Sequence, residues 1–117
     1  MPANDHLRIA SSELIKATEL LRREIDDLRS EATNLGRMVE QHISRLLSEL
    51  QMHDQEAKKQ GANIDQNRLQ STMRDIENQI AYKKSQHGDD LKRIEDIVRE
   101  KQKQITHIEA QARNIAP

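Results

Sequence analysis

Apolar residues recur along this chain in two long ladders, separated by the polar stretch from Lys58 to Gln66. The first ladder runs Leu14, Thr18, Leu21, Ile25, Leu28, Ala32, Leu35, Val39, Ile43, Leu46, Leu50, His53, Ala57. The second runs Leu69, Met73, Ile76, Ile80, Lys83, His87, Leu91, Ile94, Val98, Lys101, Ile105, Ile108, Ala112, Ile115. Steps of three and four residues put all members of a ladder on one edge of a helix, which is the seam of a coiled coil. The pattern predicts an all-α chain: helix one over about 5–59, a turn over about 60–64 and helix two over about 65–114, in a single domain spanning 1–117.

The stretch between the ladders carries the chemistry of a reversal. Lys58 and Lys59 suit the negative end of a helix, and Gly61 is expected to take the left-handed conformation of a C-cap. Asn63, with Gln66 three residues on, resembles a capping box for the second helix, and Asp65 is an alternative cap. At the other end Asn4 or Asp5 can cap helix one, with Ser11-Ser12 as a second possibility.

Folding the ladders back on each other pairs Ala57 with Leu69, Leu50 with Ile76, Leu46 with Ile80, Val39 with His87 and Ile25 with Lys101. Each ladder departs from the heptad once, by consecutive steps of four, past Leu35 and through His87. Such stutters locally relax a left-handed supercoil, and the two fall at the same height. The expected fold is therefore a long antiparallel helical hairpin, a two-helix coiled coil. Two straight helices from different chains satisfy the same pairing, but the lysines, Gly61 and the Asn63/Asp65 cap coincide at the mirror point and favour one chain folding back.

Several apolar residues are left over from the seam: Ile9, Ile15, Leu20, Met38, Leu47, Met52, Ile64, Tyr82 and Ile97. They predict a surface for a partner, turning the hairpin into a four-helix bundle or a larger coiled-coil oligomer. Ile15, Leu20, Leu21, Leu46, Leu47, Met52, Ile97 and Ile105 are the expected association residues.

The polar seam residues His53, Lys83, His87 and Lys101 are expected to set register and orientation, as isolated polar residues do in coiled coils. Lys83 and Lys101 would lay their stems over Ile43 and Ile25, with Glu40 and Glu24 as acidic neighbours. Gly36 and Gly88 lie one turn from the Val39–His87 layer and predict a bend or a docking notch, since glycine is a poor helix former.

Composition narrows the classes. A chain of 117 residues with 33% charged residues, Tyr82 as its one aromatic and no cysteine fits long helices, and it excludes disulfides and Cys-ligated zinc. The net charge is −1, divided as −2 before Gly61 and +1 from it onward, so no field recruits nucleic acid or an acidic membrane. The N-terminus shows no basic run followed by an apolar stretch, and no segment approaches the roughly 18 apolar residues of a membrane span. Cytoplasmic residence is the expectation.

No phosphate loop, dinucleotide fingerprint or nucleophile elbow is present, and a two-helix seam has no enclosed pocket, so no enzyme and no cofactor are expected. Gln86-His87-Gly88-Asp89-Asp90 places an imidazole beside two carboxylates, but neighbours in sequence do not share a helix face, and no metal site is expected. His42, His53 and His87 near the seam raise the alternative of pH sensing, set against the register-fixing role.

In shape, though in no sequence motif, the arrangement resembles the hairpin coiled coils of prefoldin-like chaperones and export-associated adaptors. The expected function is a non-catalytic structural or adaptor subunit mediating protein–protein association. A holdase that grips apolar client segments through flexible Met38, Met52 and Met73 is the alternative. A nucleic-acid-associated rod is the weaker third.

Overall fold

In the computed structural model, which describes residues 2–61 and 65–115, the chain is a helical hairpin of α1 (Pro2–Gln60) and α2 (Gln66–Ile115). Helix α1 begins three residues before the expected position and runs unbroken through Ser11-Ser12. Proline suits that first turn, because its missing N–H has no intrahelical partner there in any case. Gly61 closes α1 with a φ of 58°, after Lys58 and Lys59 in the last turn. Asp65 opens α2: its Oδ1 accepts from the Arg68 N–H at 3.1 Å, and its carbonyl accepts from the Leu69 N–H at 3.0 Å. That satisfies donors the helix leaves open at its start. Asn63 lies outside the described residues.

The chain divides into two compact units, one joining 1–32 to 92–117 and the other formed by 33–91. In the first unit Ile25, Val98 and Ile105 are buried, with Leu21, Leu28 and Ile94 packed against them. These are the layers that antiparallel pairing of the ladders sets side by side. Thr18 is buried in the same unit, and its hydroxyl donates to the Leu14 carbonyl at 2.9 Å, so the seam encloses no unpaired oxygen there. Two ion pairs cross between the helices, Lys101 Nζ to Glu24 Oε2 at 2.6 Å and Arg22 to Glu109 at 2.7 Å.

In the second unit Leu46, Ile76 and Ile80 form the buried cluster, with Ile43 and Leu50 against it. At the level of the stutter the ring of His87 lies over Gly36. Neither unit encloses any described side chain completely. The physical reason is that two helices meet along one line, leaving both flanks of that line open to water.

Candidate partner-binding surface

The residues expected to bind a partner separate into two groups. Leu46 and Ile105 are buried in the hairpin's own seam, and Leu21 packs against the Ile25 cluster. These three hold the hairpin together, because an antiparallel fold spends the central ladder on itself. Ile15, Leu20, Leu47, Met52 and Ile97 are exposed and remain for contact.

Their placement follows from one rule. In antiparallel helices the residues just before seam positions fall on one side of the pair, and those just after fall on the other. The grooves show this division. In the first unit a groove of about 460 Å³ is lined by Arg22, Asp26, Arg29, Gln102, Thr106 and Glu109, each just after a seam residue. In the second unit a groove of about 330 Å³ has Met38, His42, Gln86 and Asp90 on its rim, each just before a seam residue, with Leu35, Val39, Lys83 and His87 as its floor.

Among the described residues nine large hydrophobics are exposed, and five of them, Leu20, Met38, Met52, Tyr82 and Ile97, occupy the preceding flank. Only Ile15 and Leu47 occupy the following flank, which in the first unit is charged and bridged by Arg22 and Glu109. The flank with the apolar excess is thus the same in each unit. Met38 and Tyr82, 66% and 65% exposed, belong to this surface as fully as any residue expected there. Their position directly before Val39 and Lys83 is the sequence signal that marks them.

No family model, curated protein or solved structure matches this chain.

The expected register residues sit half-buried on the seam: His53, Lys83, His87 and Lys101. Lys101 takes Glu24 as its neighbour, as the pairing predicts, whereas no ion pair joins Lys83 to Glu40 among the described residues. The two glycines differ. A Cβ on Gly36 would stand 3.7 Å from His87 Nε2 and 3.8 Å from its Cε1, while one on Gly88 would meet nothing within 4 Å. His87 Nε2 is buried and has no hydrogen-bond partner among the described residues.

Among the described residues no three His, Asp or Glu side chains converge as a metal site requires. No described helix is long and apolar enough to cross a membrane.

Proposed function

We propose that this chain is a non-catalytic structural or adaptor subunit that works by coiled-coil association with protein. The observation that carries this reading is that each unit has an apolar excess on the preceding flank of a seam whose side chains two helices leave incompletely enclosed. Covering that flank with further helices removes apolar surface from water at about 25 cal/mol per Å², and a four-helix bundle is the arrangement in which seam and flank are both covered.

The test is affinity purification of the full-length chain from its native cell, with a Leu20→Asp/Ile97→Asp variant alongside. Both residues are exposed, so the variant keeps its own seam. A stoichiometric protein, or a second copy of the chain, lost in the variant supports the subunit reading. Recovery of nothing that the variant loses refutes it.

The holdase reading draws on Met38 and Met52, both 66% exposed, because unbranched thioether side chains adapt to varied apolar partners. Many substoichiometric proteins, each weakened in the variant, are its expected signature. Cytoplasmic residence completes the proposal.

A further inference from the structure

We propose that the preceding flank of the first unit is a docking face for a basic amphipathic helix of another protein. The inference rests on the association reading above and names the partner by its charge. It draws on acids that gather where the unit leaves apolar side chains in water.

Within the first unit the two flanks of the seam differ in charge. Glu13, Glu24, Asp27, Glu31 and Glu100 each directly precede a seam residue, and Arg93 is the one basic residue at such a position. The positions directly after seam residues hold four acids and five bases, and there Arg22 pairs with Glu109 across the helices. Over its whole length the unit carries eleven acids and eleven bases. The acidic excess is therefore a matter of placement, and it falls on the flank that holds Leu20 and Ile97.

Part of that excess has no compensation. Glu24 pairs with Lys101, and Glu13 stands 3.9 Å from Lys16. Asp27, Glu31 and Glu100 are exposed and have no ion-pair partner among the described residues. Asp27 and Glu31 lie four residues apart on α1, a spacing at which like charges weaken a helix. In the pairing that sets Ile25 beside Lys101, Ile97 falls level with Arg29, midway between Asp27 and Glu31, and Glu100 falls level with Asp26. Ile97 and Leu20, 40% and 57% exposed, thus share their flank with uncompensated carboxylates.

An occupant has to cover two aliphatic side chains and bring cations to the margins beside them. An amphipathic helix does both, because its apolar stripe runs between polar margins in which Lys or Arg can reach along the flank. Complementary charge steers such a partner and sets its register, while like charge rejects others. A second copy meeting this flank with its own would set acids against acids. Nucleic acid or an anionic lipid surface would meet the same repulsion.

Fluorescence anisotropy tests this with the full-length protein and a labelled synthetic peptide of about three heptads, carrying a Leu stripe flanked by Lys. Its isomer with Glu in place of Lys is the comparison. The Lys peptide is expected to bind at least about tenfold more tightly than the Glu isomer. Asp27→Asn/Glu31→Gln/Glu100→Gln is expected to weaken it at least about tenfold, and Leu20→Ser/Ile97→Ser to weaken it as well. Glu19→Gln/Asp26→Asn/Glu95→Gln removes the same charge from the following flank and is expected to leave binding within about twofold. All these positions are exposed, and circular dichroism confirms that each variant stays helical.

Failure of the wild type to bind the Lys peptide overturns the proposal, as does equal binding of both peptides. Equal losses from the two charge variants overturn it too, because attraction to acids anywhere on the unit would then suffice. If both peptides bind alike and Leu20→Ser/Ile97→Ser releases both, the basic partner falls and the association reading stands. If neither binds, and purification returns no protein that Leu20→Asp/Ile97→Asp loses, both fall.

Discussion

The imidazole of His87 lies directly over Gly36, with Nε2 3.7 Å and Cε1 3.8 Å from where a Cβ on that glycine would stand. The contact joins the two helices at the level where both ladders step by four. It leaves His87 Nε2 buried without a hydrogen-bond partner among the described residues. A buried, unpaired polar atom costs about 1–3 kcal/mol. His87→Leu is therefore expected to stabilise the hairpin by about that amount, measured by urea denaturation at fixed protein concentration. A loss of stability would show that the imidazole's packing over Gly36 outweighs its unpaired nitrogen.

The glycines should respond with opposite signs. Gly36 and Gly88 lie inside helices, where alanine is favoured by about 1 kcal/mol. Neither would crowd an alanine, since 3.7 Å is ordinary contact and Gly88 faces open space. Gly36→Ala and Gly88→Ala should each raise the melting temperature. Gly61 has a φ of 58°, a conformation that costs other residues about 1–2 kcal/mol, so Gly61→Ala should lower it.

Seam and flank should separate in the same assay. Ile25→Ala and Ile76→Ala remove side chains that are 95% buried and are expected to cost about 2–5 kcal/mol each. Leu20→Ala, at a residue 57% exposed, should change the stability of the isolated hairpin by no more than about 0.5 kcal/mol. A large loss at Leu20 that grows with protein concentration would report association instead.

The two ion pairs between the helices should differ in strength. Arg22 and Glu109 are 60% and 45% exposed, and water screens such a pair to within about 0.5 kcal/mol. Lys101 is only 24% exposed, its stem covered by the seam, and its ammonium meets Glu24 at 2.6 Å. A double-mutant cycle on Lys101 and Glu24 should give the larger coupling, held to about 1 kcal/mol by the 41% exposure of Glu24. Equal couplings for the two pairs would contradict this.

The ladders by themselves determined the two helices and which layers can meet, down to Leu46 with Ile80, while Gly61 and the Asn63/Asp65 caps pointed to a reversal between them. Helical periodicity is a local property, and every seam residue carries its phase in its spacing from the next. The chain's own spacing is equally compatible with separate antiparallel helices, because pairing depends on phase and not on connection. Only the tertiary structure decided how far each residue is covered: Leu46 and Ile105 are buried and Leu21 packs against the Ile25 cluster, while Leu20, Met38, Met52, Tyr82 and Ile97 are exposed. It also decided that His87 turns over Gly36 and leaves its Nε2 without a hydrogen-bond partner among the described residues. Whether an apolar side chain is covered, or an imidazole paired, depends on where the second helix lies, and a residue's spacing within its own helix does not contain that position.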